Sequence, residues 1–306
     1  MKQTASTVLL ISPTTFGFNP ETAESNIFQH HLDQDQSVTQ YDAEREWEEV
    51  CKMLVKNKIN VIAVMDTRSP VKPDALFPNN WITTHEDGRI IIYPLLAPNR
   101  RSEKRTDIIQ QMRKKYLVTD VVDLSYFEKD KKYLEGTGSM VLDRTNKIIY
   151  ACLSARTHKE PLEHVAKILG YKTVAFHAFD HHAPIYHTNV FMSVGNKWAA
   201  MCMDAVPDEK EKESLKKSFE KTGKELINLT KAQIDAFAGN ILELQTLEGE
   251  SKIIMSKTAH ESLMPEQIDA FQKYGDILSS DVHTIEQVGG GGIRCLLTEI
   301  FLKPLL

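Results

Sequence analysis

The chain has 306 residues, room for one large domain or two ordinary ones, and its 42% hydrophobic and 26% charged content excludes wholesale disorder. A formal charge of -5 and a pI near 6.1 leave no electrostatic footprint for nucleic acid, and the longest apolar runs, 8–11 and 90–93, are far too short to cross a membrane. The cysteines at 51, 152, 202 and 295 form no close pair and no signal-peptide pattern follows Met1, so reduced thiols in a cytoplasmic protein are expected, monomeric or a homodimer, with no structural zinc or other cofactor.

In chain order, a strand at 7–12 is followed by a polar stretch, 14–40, that contains Phe16-Gly17-Phe18-Asn19-Pro20. It reads either as a long surface connection or as a loop folding over a site. Trp47, Val50, Cys51 and Leu54 recur at helical spacing within 43–57, and 59–65 is a short buried strand. Phe77-Pro78-Asn79-Asn80 then leads into Trp81-Ile82-Thr83-Thr84-His85, the turn Glu86-Asp87-Gly88 and the run 89–93. Asp-Gly between two β-rich runs is a strong hairpin signal.

The same order recurs. Helix 101–116 and strand 118–124 precede Glu135-Gly136-Thr137-Gly138 and a hairpin of 139–143 with 148–153. Helix 160–169 and strand 173–179 precede His187-Thr188-Asn189 and a hairpin of 190–194 with 197–203. Helix 208–222 and strand 225–229 precede Ala238-Gly239-Asn240 and a hairpin of 241–245 with 251–255. Helix 265–274 and strand 276–283 precede Gly289-Gly290-Gly291-Gly292-Ile293-Arg294-Cys295 and a last strand, 295–302.

From Asn80 to Gly138, Asn189, Asn240 and Cys295 the steps are 58, 51, 51 and 55 residues. A period near 50 with one supersecondary unit per step is a repeat architecture. No helix-strand-hairpin unit buries its apolar faces alone. The expected fold is therefore a five-fold pseudosymmetric α/β propeller, one domain spanning 1–306, closed by pairing of the last strand with the first. The loops before the hairpins then converge on one end of the axis, bringing Glu135, His187 and Cys295 to one cavity.

Four consecutive glycines lose too much backbone entropy to serve packing, and they let the main chain approach a neighbour closely. The cysteine behind them is either a nucleophile facing a small molecule or a buried, inert thiol after a glycine turn. Convergence of an imidazole and a carboxylate on it favours the nucleophile.

At these residues the chain resembles the pentein superfamily of guanidino-modifying enzymes, which includes arginine and agmatine deiminases, amidinotransferases and dimethylarginine hydrolases. Gly289 to Cys295 resembles the family's glycine-rich nucleophile loop, His187-Thr188-Asn189 its His-x-Asp segment, and Glu135-Gly136-Thr137-Gly138 its Glu-Gly-Gly-Asp motif. Asp74-Ala75-Leu76-Phe77-Pro78-Asn79-Asn80 is similar to the Asp-x-x-Phe-x-acid-acid segment of the dimethylarginine hydrolases, and Phe-Pro-Asn-Asn-Trp with Thr-Thr-His is most similar to the citrulline-utilisation hydrolases. Asn99-Arg100-Arg101 and Ser154-Ala155-Arg156 look like segments whose arginines hold a substrate α-carboxylate; Arg100 and Arg101 both stay open as the first of these.

The resemblance implies that Cys295 attacks the sp² carbon of the substrate. A free thiol is only a few per cent ionised at neutral pH, so it needs a cation beside it, and an imidazolium at His187 is the expected source. His187 then protonates the departing amine and activates water, while Glu135 accepts a substrate N–H. Asp74, Asn79, Asn80, Asn189, Phe16 and Asn19 are the further candidate substrate contacts. Asn79, Asn80 and Asn189 stand where relatives place acids. An amide both donates to a ureido oxygen and accepts from its NH2, so a neutral, citrulline-like substrate yielding an ornithine-like product is expected. Asp74 and Glu135 still leave room for a guanidinium, and arginine or methylarginine turnover, by hydrolysis or amidino transfer, stays open.

Three rival readings remain. Asp180-His181-His182 with His187 could ligate the metal of a hydrolase, but no second ligand cluster lies nearby and the glycine loop is then unexplained. The glycine run is not a phosphate loop, since no Gly-Lys-Ser/Thr follows. A non-catalytic scaffold would have no use for Cys295, His187 and Glu135 together.

Overall fold

The computed structural model describes residues 1–180 and 183–305. Its strands fall into five three-stranded sheets of one design. Strands β1 (Thr7–Ile11) and β2 (Asn60–Val64) run parallel around the helix Gln36–Lys56. β3 (Ile82–Thr84) and β4 (Arg89–Ile92) form a hairpin, and β5 (Asp120–Asp123) returns parallel to β4 after the helix Thr106–Lys115. β6 (Val141–Asp143), β7 (Ile148–Cys152) and β8 (Lys172–Phe176) repeat this around the helix Lys159–Leu169. A two-stranded ribbon, β9 (Phe179–Asp180) and β10 (Ala183–Pro184), intervenes. β11 (Met192–Val194), β12 (Trp198–Met201) and β13 (Glu225–Asn228) follow with the helix Glu209–Thr222, then β14 (Leu242–Gln245), β15 (Ser251–Ser256) and β16 (Asp276–Ser280) with the helix Pro265–Gln272. β17 (Thr298–Glu299) pairs antiparallel with β1, Val8 opposite Glu299 and Leu9 opposite Thr298.

This phasing corrects the expected module. The strand after each helix joins the hairpin before that helix, not the one after it, because a strand–helix–strand crossover naturally returns parallel to the strand it left. Each sheet is thus hairpin, helix, outer strand. The hairpin strands are buried almost throughout, whereas β2, β5 and β16 alternate between half-buried and exposed. The terminal segments meet as expected, but 295–302 is not one strand: Cys295 lies on the 3-10 turn Ile293–Leu296 and only two residues pair. Among the described residues the five sheets stay separate, with no closed sheet joining them.

Local chemistry explains the element ends. The long helix begins seven residues before the apolar spacing does, because Asp35 caps it by accepting from the Ser37 N–H at 2.7 Å. The expected helix 101–116 divides into a 3-10 turn, Pro98–Glu103, and the α-helix proper. That break turns Arg100 into the interior, where it is 2% exposed. Large side chains fill the space between sheets, among them Trp81, Tyr93, Trp198 and Phe271, each contributing roughly 1.5–3 kcal/mol by leaving water. Among the described residues, no helix is long and apolar enough to cross a membrane.

Candidate active site

The segments before the hairpins are short helical turns, and they carry the candidate side chains. Glu135 immediately precedes Gly136–Ser139 and His187 immediately precedes Thr188–Phe191, the same position in two successive units. Asn79 and Asn80 lie on the turn Pro78–Asn80, and Cys295 on Ile293–Leu296. Gly138 makes this convergence possible: a Cβ there would sit 2.6 Å from Asn80 Nδ2 and 2.7 Å from the His187 ring.

The acid and the imidazole meet. His187 Nε2 lies 2.8 Å from Glu135 Oε2, with both side chains buried. Arg156 Nη1 donates to the same oxygen at 3.4 Å, Arg100 Nη1 stands 3.9 Å from it, and the Leu96 N–H donates to Oε1 at 2.9 Å. Burial opposes ionisation of Glu135, yet Arg156, His187 and Arg100 together outweigh it and hold the carboxyl far below the usual range. Burial, with Arg156 and Arg100 against it, pushes the His187 pKa down to about 4 despite the Glu135 bond. Burial and the two arginines thus favour the neutral imidazole over the expected imidazolium. Glu135, as acceptor, fixes the proton on Nε2 and leaves Nδ1 as the free base.

Cys295, 3% exposed, takes its contacts from amides: Asn240 Nδ2 donates to Sγ at 3.3 Å and Asn189 Nδ2 at 3.4 Å. Burial raises its pKa, opposed by Asn240, Arg294, Asn189 and Arg100. The resting site is a thiol and a neutral imidazole lining one narrow cavity with Asp74, Asn80, Arg100 and Arg156.

The polar stretch 14–40 folds over this cavity and holds the helix Pro20–Ala23. Asn26 Nδ2 donates to the Gly290 carbonyl at 3.2 Å and Gln29 Nε2 to that of Val288 at 3.1 Å. Arg156 Nη2 donates to the Thr22 carbonyl and to Ser25 Oγ, each at 2.8 Å, so one guanidinium ties the loop to Glu135. The glycine loop is shaped to receive these neighbours. Gly290 has φ +63, and a Cβ there would stand 2.5 Å from Asn26 Nδ2; at Gly289 a Cβ would stand 2.8 Å from the Phe77 ring.

The other expected residues divide clearly. Arg100 enters the site, donating to Glu103 at 2.9 Å and to Asn80 Oδ1 at 2.9 Å, while burial raises the Glu103 pKa to about 7 against the pull of Arg100. Arg101 does not line the cavity; it donates to the Leu95 and Leu96 carbonyls and pairs with Glu128. Asn19 and Phe16 are buried behind the cavity wall, Asn19 donating to Asp74 Oδ2 at 2.7 Å. Asn79 accepts from Asn80 Nδ2 at 3.1 Å, and Asp74 Oδ1 has no hydrogen-bond partner among the described residues. Sequence reasoning passed over Asn240, Tyr186, Thr22 and Asn26. The signal for Asn240 was present, since it occupies the repeat position between Asn189 and Cys295. Tyr186, whose hydroxyl donates to the Gly290 carbonyl at 2.6 Å, offered none.

In the rival metal reading, His181 and His182 lie outside the described residues. Among the described residues, no group of three His, Cys, Asp or Glu side chains is placed to hold a metal ion.

A family model described as N,N dimethylarginine dimethylhydrolase, eukaryotic, matches residues 12–302. No curated protein sequence gives a significant match. Among solved structures, the N-terminal domain of ArgZ, an arginine dihydrolase from Cyanobacteria, superposes with a TM-score of 0.74 at 16% identity, covering 97% of this chain and 99% of that one. The AgrE complex with ornithine and NAD+ gives 0.74 at 17% identity over 96% of this chain but only 39% of its own. The Pseudomonas aeruginosa dimethylarginine hydrolase mutant bound to citrulline gives 0.65 at 13% identity, covering 97% and 100%.

Proposed function

Because this chain belongs to the N,N dimethylarginine dimethylhydrolase family, we propose that it hydrolyses a C–N bond in the guanidino or ureido group of a small amino acid, through a covalent bond to Cys295. The observation that carries this is one cavity lined by a thiol and by an imidazole whose Nε2 is locked onto a buried carboxylate. Relatives of the same fold include an arginine dihydrolase and a dimethylarginine hydrolase.

The steps follow from the protonation states. Sγ bonds to the sp² carbon as its proton passes to His187 Nδ1, and the imidazolium so formed is stabilised by Glu135. His187 returns that proton to the side-chain nitrogen as its bond to carbon breaks, releasing the amine. Water, deprotonated by the now neutral imidazole, attacks the thioester-like carbon and regenerates the thiol. From citrulline the products are ornithine and carbamate. Arg100 and Arg156 are the candidate partners of the substrate carboxylate.

The preferred substrate in this reading is ureido. Asn80 offers an amide where relatives carry an acid, and Arg100 and Arg156 already balance Glu103 and Glu135 before any substrate enters. One observation favours a guanidinium instead: the unpartnered Oδ1 of Asp74, an acceptor in need of a donor. Incubation with citrulline, arginine, agmatine and methylated arginines, scoring ornithine, citrulline and ammonia, separates the two. Ornithine from citrulline, lost in Cys295→Ala, is expected. Turnover of arginine alone would remove the ureido preference.

We also infer that the five sheets stand around one axis. Support comes from contacts between successive sheets, β17 with β3, β6 with β11 and β11 with β14.

A further inference from the structure

The five repeat positions Asn80, Gly138, Asn189, Asn240 and Cys295 carry three amides, a glycine and the thiol, and two of the amides converge on sulfur. We propose that Asn240, seconded by Asn189, stabilises the Cys295 thiolate at the moment of attack, in the place an imidazolium would otherwise fill. The inference rests on the covalent reading above and adds to it a residue that touches the reacting sulfur.

Three observations support it. The Asn240 amide is oriented beyond doubt of an O/N exchange: its Oδ1 accepts from the Arg294 N–H at 2.9 Å, and its Nδ2 therefore faces both the Asn189 carbonyl at 2.9 Å and Sγ at 3.3 Å. The anchored Asn240 contact to sulfur is a donor and Asn189 Nδ2 lies 3.4 Å from the same atom, and N–H groups aimed at one buried sulfur favour its anionic form over the thiol. Finally, Gly292 leaves the space this requires, since a Cβ there would stand 2.8 Å from Asn240 Oδ1. Arg294 and Arg100 also pull the thiol pKa down, but through space, and their hydrogen bonds go elsewhere. Arg294 spends its guanidinium on the Leu297 carbonyl and Glu299, and Arg100 and Arg156 are paired with Glu103 and Glu135. Burial disfavours the charged form of His187, the Tyr186 hydroxyl donates to the Gly290 carbonyl, and Asp74 lines the same cavity.

The test needs no substrate. Site-resolved alkylation of Cys295 by iodoacetamide, followed from neutral to strongly alkaline pH, reports the thiol pKa in the wild type, Asn240→Ala and Asn240→Leu. Both variants are expected to move the midpoint up by about one pH unit and to slow alkylation at neutral pH about tenfold. Leucine refills the volume without a donor, so a packing role would predict a wild-type midpoint for it. That result, or an unchanged midpoint in both variants, overturns the proposal. Melting curves identify a variant that fails to fold, in which case the other decides. Loss of turnover in Cys295→Ala is a separate measurement, so the covalent reading and this inference fail independently.

Discussion

Two buried thiols in this chain sit in opposite surroundings. Cys152 on β7 is 0% exposed, its Sγ faces the Ile185 carbonyl at 3.6 Å, and burial pushes its pKa up to about 12. The carbonyl asks the sulfur to keep its proton, and a backbone bond from Ala178 pulls the other way without overcoming burial. Cys295 is as deeply placed, but its neighbours are amide donors, and Arg294 and Arg100 add positive potential. Burial alone therefore separates nothing; the direction of the dipoles around the sulfur does.

The sharpest way to break the comparison is to exchange the roles by mutation. Cys295→Ala is expected to abolish ornithine release, whereas Cys152→Ala keeps turnover within about twofold and loses only roughly 1–2 kcal/mol of stability, as a small core truncation does. Equal losses in both, in steady-state assays and denaturant melts, would erase the distinction.

Next in size is the proton relay. His187→Asn should lower kcat by about 10²–10⁴-fold, the range for a positioned acid–base group, and Glu135→Gln should act in the same direction by freeing the ring. Rates near wild type for both would leave Cys295 without a base. Arg156→Ala is expected to raise KM more than it lowers kcat, by roughly tenfold, since it removes the proposed partner of the substrate carboxylate and the tie to Thr22 and Ser25.

How much of this was legible in the sequence depends on which residues carried a signal. The repeat, the hairpins and the pairing of Glu135 with His187 on neighbouring turns followed from turn chemistry and a period near 50. The phase of the module did not, because a strand's own residues do not say which neighbour it pairs with. The electrostatics of His187 were hidden for a related reason: spacing brings groups together but says nothing of the burial and the two arginines that disfavour a charged ring. Arg100 and Arg101 look alike in sequence, and only the 3-10 turn separates their fates.

The smallest effect expected is on stability against pH. His187 has a folded pKa of about 4, below its ordinary value of 6.5. The unfolded chain thus takes up that proton first, and stability falls as the pH drops through 6.5 towards 4; Glu135, also depressed, adds its loss below the ordinary carboxylate range. Glu103 and Glu286, both raised to about 7 by burial, gain stability over the same window, so the His187 contribution is read in thermal melts as the difference between wild type and His187→Asn. That difference should shift against the wild type as the pH falls from neutral to 5; a difference that stays constant over that range would contradict the neutral ring.

The most direct measurement is mass spectrometry of an acid-quenched reaction with citrulline, mapped to peptides. A carbamoyl adduct on the peptide containing Cys295, and none on the peptide containing Cys152, is predicted. Turnover with no adduct on Cys295, or with the adduct on another cysteine, would contradict the account.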